Sequence, residues 1–187
     1  MTVHVARRRF TVDDYRRMAA SGILGEDDRV ELLEGEVVEM SPIGRPHAAC
    51  VARLIRLFTQ LPHADAQVEA QNPIRLDRFS EPEPDLVLLR PRPDFYAQET
   101  PGPADVLLAC EVADSSLEVD RLKKLPLYAA AGLAEVWIVD LTGEAVEVYR
   151  EPDGARYRVA LRRGRGERVT PSAFPQLELE VDAILGA

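Results

Sequence analysis

The sequence predicts an α/β fold: a central mixed sheet flanked by helices, with a β-meander near the C-terminus. Three observations carry this expectation. Asp85–Arg90 and Val106–Val112 are apolar almost throughout, as strands covered on both faces must be. Between Pro46 and about Gln60, the residues Val51, Leu54, Ile55 and Phe58 recur at helical spacing, which gives the sheet a helix to pack against. After Glu135, turn pairs at Thr142-Gly143 and Asp153-Gly154 separate strand-like runs, the pattern of a meander.

Taken in order, Thr11 with Asp14 three positions on reads as an N-cap with an acidic first turn. It opens a helix to about Ala20 that Ser21-Gly22 ends. Arg29–Met40 reads as two short strands around a Glu34-Gly35 turn. Pro46 suits the first turn of the second helix, where a missing N–H leaves no bond unmade. Gln67–Asp77 alternates loosely and reads as a strand. In Ser80-Glu-Pro-Glu-Pro84 two prolines remove donors and hold the chain extended, so Asp85 is presented from a stiff lead-in. Pro91–Pro103 is a long, proline-rich loop. Ser115 followed by Glu118 matches a capping box and starts a helix to about Ala131, stopped by Gly132. Pro126 inside that helix loses one hydrogen bond, so a kink that could turn Tyr128 away from a pocket is expected. Glu135–Asp140 is a buried strand, the meander runs through Val159–Leu161, and Val181–Leu185 suits a short closing helix.

With 187 residues and an apolar fraction of 46%, one core is sustainable, and residues 1–187 read as a single domain. No run of ~18 apolar residues could span a bilayer. Thr2–Ala6 is too short for a signal peptide, and the arginines follow it. Cys50 and Cys110 fall in apolar segments and read as small buried hydrophobes in a reducing cytoplasm. Three scattered histidines, His4, His47 and His63, make no zinc pattern. The net charge of −9 disfavours bulk attraction to nucleic acid. Arg156–Arg168, with six arginines and one glutamate, leaves room for a local basic face, although a solvated hairpin surface has the same composition.

The chemistry concentrates in two acids and a lysine. Asp85 heads one buried strand, and Glu111, 26 positions later, ends its neighbour. Two such carboxylates can hold a hard divalent cation together with waters and phosphate oxygens. Without a cation their repulsion would raise one pKa sharply. Lys124, on the following helix, can orient a water or offset charge on a phosphoryl transition state. Asp120, Lys124 and Tyr128 lie at i, i+4 and i+8 and share one helix face. A solvent-exposed acid–lysine pair has the same spacing. Lys123 points about 100° away. His47, in the first turn of its helix, is either a core-edge histidine or a contact for phosphate or water, and the helix dipole there disfavours its protonation. Gln71 alternates with Glu69 and could line the cleft.

These segments resemble the bacterial Uma-type family of restriction endonucleases, within the PD-(D/E)XK nuclease superfamily. The resemblance runs through Phe10–Tyr15, Val30–Glu36, Ser41-Pro42, His47, Pro82-Glu-Pro-Asp85, Glu111–Ser116, Asp120/Lys124/Tyr128 and Glu135–Asp140. It implies a restriction-endonuclease-like fold, Mg²⁺ (or Mn²⁺), and nucleic acid, DNA first, as substrate. It also implies that Glu31 can reach the metal and that the Val112 carbonyl is a further ligand. The strict motif would place lysine at position 113, where this chain has Ala113, and the family pattern moves that lysine to Lys124. The expected function is thus metal-dependent phosphodiester hydrolysis in the cytoplasm by Asp85, Glu111 and Lys124, in a homodimer or dimer of dimers. Arginines between Arg156 and Arg168, or Arg53 and Arg56, would border a shared cleft. The alternative is a catalytically weak relative that binds nucleic acid or a protein partner.

Overall fold

A computed structural model describes residues 7–25, 27–62 and 64–186. His4, His63 and the Thr2–Ala6 segment considered above lie outside them. Helix α1 (Val12–Ala20) opens with Thr11, whose hydroxyl accepts the Asp14 N–H while the Asp14 carboxylate accepts the Thr11 N–H. The hairpin β1 (Val30–Leu33) and β2 (Glu36–Glu39) follows. Its turn needs Gly35 at φ +82, where an added Cβ would also lie 2.6 Å from the Arg9 Cβ. Helix α2 (Arg45–Phe58) has Pro46 in its first turn and buries Cys50, Val51, Leu54 and Phe58.

The main sheet has six strands: β3 (Gln67–Glu69), β4 (Leu86–Leu89), β5 (Val106–Ala113), β6 (Glu135–Asp140), β7 (Ala145–Asp153) and β8 (Arg156–Gly164), in that spatial order. Only the β5–β6 pair is parallel, so the sheet is mixed as expected. The parallel pair requires a crossover. A helical run supplies it: α3 (Leu117–Val119), a π turn at Asp120–Lys124, and α4 (Leu125–Ala130). The meander β6–β7–β8 is continuous with the sheet, sharing β6 with it. A small pair, β9 (Arg168–Val169) with β10 (Leu179–Glu180), leads to α5 (Val181–Leu185).

Strand alternation splits the central strands between two apolar layers. Leu86, Leu88, Leu108, Cys110, Val112, Trp137 and Val139 belong to the layer that includes α2 and α5. Val87, Leu89, Ala109 and Val136 join Tyr128 and Leu133 on the α4 side. Both faces are therefore buried, which is why these segments read as unbroken apolar runs. Burial of each large aliphatic side chain contributes about 1.5–3 kcal/mol. Cys50 and Cys110 are buried free thiols within the first layer.

Three local expectations need correction. The strand expected over Gln67–Asp77 stops at Glu69, because Gln71 takes φ +54 in a turn and ends the alternation. Ser115 and Glu118 form no capping box: Ser116 occupies the cap with helical dihedrals and gives the backbone no side-chain bond. Its hydroxyl donates instead to Asp120 Oδ2 at 2.7 Å. Pro126 does not turn Tyr128 away. The Leu125 N–H reaches five residues back to the Asp120 carbonyl, and this π turn absorbs the proline.

Candidate active site

Asp85 stands one residue before β4, at the end of the Pro82–Pro84 lead-in. Leu86 pairs with Cys110, so one further step along both strands brings Asp85 beside Glu111. Both Asp85 oxygens are held. Oδ2 accepts the Val112 N–H at 2.8 Å, and Oδ1 lies 3.0 Å from His47 Nε2 at the start of α2. The hydrogen bond to Asp85 raises the His47 pKa against the opposing effect of burial. Among the described residues, the buried His47 Nδ1 has no hydrogen-bond partner.

Glu111 is 2% exposed and points to the α4 side. Lys124 Nζ lies 3.3 Å from each of its oxygens, and the Tyr128 hydroxyl donates to Oε1 at 2.5 Å. Lys124 also lies 3.0 Å from Glu31 Oε2, which accepts the Glu83 N–H at 3.1 Å. Glu31 and Lys124 are both buried, although they come from the hairpin and the crossover helix. The π turn widens the helix where Asp120 and Lys124 face the sheet, and both are buried in it. A surface acid–lysine pair is thereby excluded.

These side chains surround one cavity of about 70 Å³, lined by Glu31, His47, Glu83, Asp85, Asp120 and Lys124 together with Glu111. Met40–Ile43, from the loop before α2, also lines it. Carboxylates outnumber cations here, and the electrostatics follow. Burial pushes Glu111 well above the usual carboxylate range; Lys124 opposes this, while Asp120, Asp85 and Glu31 add to it. Burial likewise raises Asp120 against the pull of Lys124. Glu83 is raised by burial and by Glu31. Burial pushes the Lys124 pKa down, but Glu111, Glu31 and Asp120 outweigh it and hold the pKa above the ordinary lysine value. The site therefore sets one lysine, favoured in its charged form, among several acids biased toward their neutral forms.

The structure gathers Asp85, Glu111, Lys124, Glu31, His47 and Asp120 around the cavity, with Tyr128 behind Glu111. Gln71 is exposed beyond β3 and does not line the cavity, because its turn breaks the strand periodicity. Glu83 was missed. Its signal was its place between two prolines immediately before Asp85, which fixes its direction. Among the described residues no group of three or more His, Cys, Asp and Glu side chains is gathered closely enough to hold a metal ion by itself. A cation here would need water and phosphate oxygens beside the protein carboxylates, the usual Mg²⁺ arrangement.

Most of the arginines expected to border the cleft have other work. Arg158 pairs with Asp153, Arg162 with Asp140 and Glu147, and Arg163 with Glu167. Arg165 pairs with Glu144 and Asp182, and Arg168 with Glu178 and Glu180. Arg53 donates to the carbonyls of Ile184 and Leu185, capping α5. Arg56 is exposed. No helix among the described residues is long and apolar enough to cross a membrane.

No curated protein matches this chain. Among solved structures, it is similar to a protein from Anabaena variabilis ATCC 29413 described as "a putative nuclease belonging to DUF820". That likeness has a TM-score of 0.74 at 15% identity, over 94% of this chain and 97% of the other. At that identity it bears on the fold alone, and it agrees with the mixed sheet and helices seen here. The family model described as "Uma2: Putative restriction endonuclease" matches residues 12–182, and the chain belongs to that family.

Proposed function

We propose that this protein is a Mg²⁺- or Mn²⁺-dependent nuclease that hydrolyses phosphodiester bonds in nucleic acid, DNA first, through Asp85, Glu111 and Lys124. The observation that carries this reading is the placement of Asp85 and Glu111 at adjacent strand ends on one acidic cavity, with Lys124 buried against Glu111. The donors suit a hard divalent cation: they are carboxylates, in excess over the cations present, and two of them neighbour each other. Asp85 and Glu111 would hold the ion, with the Val112 carbonyl as the further ligand implied by the family. A bound cation of this kind polarises a phosphate oxygen and lowers the pKa of a water.

The chain's own groups divide the remaining tasks. Glu111 and Glu31 favour the charged form of Lys124, which suits a hydrogen-bond donor better than a general base. Its N–H groups instead orient the attacking water or a phosphate oxygen and offset charge in the transition state. His47 and the Val112 N–H fix the Asp85 carboxylate. Glu31 anchors Lys124 from the hairpin side. We also propose a homodimer or dimer of dimers in the cytoplasm, a compartment in which free thiols such as Cys50 and Cys110 persist.

The test is cleavage of single- and double-stranded DNA and of RNA by the full chain, with Mg²⁺, Mn²⁺ or chelator, beside Asp85→Asn. Cation-dependent cleavage that the variant loses is the expected result. A second reading, a binding protein without turnover, is favoured by the net charge of −9 and by the ion-paired arginines. Absence of cleavage of every substrate, with no response of stability to cations, would establish that reading instead.

A further inference from the structure

Tyr128 is fully buried in an apolar layer that includes Val87, Ala109, Leu133 and Val136. Packing alone calls for a phenylalanine at such a position. A hydroxyl buried without a partner is costly, and here its partner is a single atom, Glu111 Oε1, at 2.5 Å. Lys124 Nζ lies 3.3 Å from each Glu111 oxygen and donates its hydrogen bond to Oε2. Among the described residues, the hydrogen bond to Oε1 comes from Tyr128. The helix is shaped so that both groups reach the same carboxylate. Lys124 and Tyr128 lie four residues apart, and the π turn takes up Pro126 between them without swinging the phenol away.

Building on the metal-dependent reading above, we infer that Tyr128 is a positioning residue: it anchors Glu111 through Oε1 and leaves Oε2 as the oxygen offered to the divalent cation. The phenol fixes the carboxylate rotation from the core side, where no water competes for the bond. Lys124 can release Oε2 and keep its closer partner, Glu31 Oε2, at 3.0 Å. Groups that orient a ligating carboxylate in this manner typically change metal affinity by about 10–100-fold when removed.

The experiment is a calorimetric Mn²⁺ titration of the full chain, of Tyr128→Phe and of Tyr157→Phe. Tyr157 packs against the same apolar layer and donates to the Leu133 carbonyl at 2.9 Å, so its variant loses a half-buried tyrosine bond outside the site. Tyr128→Phe should bind Mn²⁺ about 10-fold or more weakly, while Tyr157→Phe binds like the parent. Any cleavage lost by Tyr128→Phe should be partly recovered at high Mn²⁺, which a merely structural defect would not allow. Equal Mn²⁺ affinity in the parent and Tyr128→Phe, with Asp85→Asn unable to bind, would overturn this inference and leave the nuclease reading intact. A parent that binds no Mn²⁺ would overturn both.

Discussion

Lys124 is the residue on which the site turns, because its charge is set by its neighbours. Lys124→Ala would leave Glu31 and Glu111 buried without their cation, and the loss of one partner from such a cluster typically destabilises by about 3–5 kcal/mol. Thermal denaturation should show a lower Tm that added Mg²⁺ partly restores. At saturating Mg²⁺, turnover should fall by about 10²-fold or more, while cation binding persists. Parent-like cleavage by Lys124→Ala would remove Lys124 from the mechanism, and exposed Lys123 offers no replacement in the cavity. The acids predict a pH trend. Glu83, Glu111 and Asp120 are held above their ordinary values of 4.5, 4.5 and 3.8. An acid shifted that way stabilises fully below its unfolded pKa, and the contribution is lost as pH rises through the folded one. The cation-free Tm should therefore fall as pH rises above the ordinary carboxylate values, and more steeply than with Mg²⁺ present. Asp14, lowered to about 2, acts in the opposite direction but only below its ordinary 3.8. A Tm that rises over the same range would contradict the burial of these acids. Asp85, Glu111 and Lys124 were legible in the sequence because each heads, interrupts or follows an apolar run. The bond between Tyr128 and Glu111 was not, because it depends on how Pro126 is accommodated.

Elements whose signals are local were legible almost to the residue. The β6 strand and α5 match their expected limits, and the Thr11–Asp14 cap forms as read. Elements that depend on partners were not. Residues beyond Glu69 keep some alternation, but Ile74 and Leu76 are buried in irregular chain bonded back to Pro82 and Ser80. Ser116 gives its hydroxyl to Asp120, a competitor that the spacing of a capping box does not reveal. The turn between β6 and β7 shows how tightly an element can be specified. The Gly143 N–H donates to Asp140 Oδ1 at 2.7 Å, and Arg162 donates to the Gly143 carbonyl. A Cβ at Gly143 would lie 2.2 Å from Asp140 Oδ2 and 2.5 Å from Arg162 Nη2. Asp140, Glu147, Arg121 and Arg162 form one network there, so the carboxylate cannot move freely. Gly143→Ala should cost about 1–3 kcal/mol by overpacking, which lowers Tm by about 2–4 °C per kcal/mol in a chain of this size. An unchanged Tm would show that the network relaxes around the methyl group.

Over the whole molecule, charge decides how nucleic acid can be held. The net charge of −9 repels phosphates, and five of the six arginines in the 156–168 hairpin region are already matched to acids. That matching was not legible, since partners such as Asp182 and Glu178 come from the distant C-terminal segment. On the proposed nuclease reading, a substrate would bind largely at the cavity and through exposed arginines such as Arg56, and a second copy would contribute its own. Binding should weaken with salt, and Arg56→Ala should reduce the salt slope by about one. Replacing Arg168 should change that slope little, because it is already paired. Light scattering should show a dimer or larger assembly, and a monomer with salt-insensitive binding would favour the protein-partner reading.

The most direct test of the account is the thermal stability of the parent and Asp85→Asn during Mg²⁺ or Mn²⁺ titration. A ligand present at about 100 times its Kd stabilises the folded state by about 2.7 kcal/mol, so the parent Tm should rise by roughly 5–10 °C. Asp85→Asn keeps the side-chain shape but removes the charge, and its Tm should not respond. A parent that ignores both cations, or a variant that responds as the parent does, would contradict the claim that Asp85 and Glu111 form a metal-dependent nuclease site.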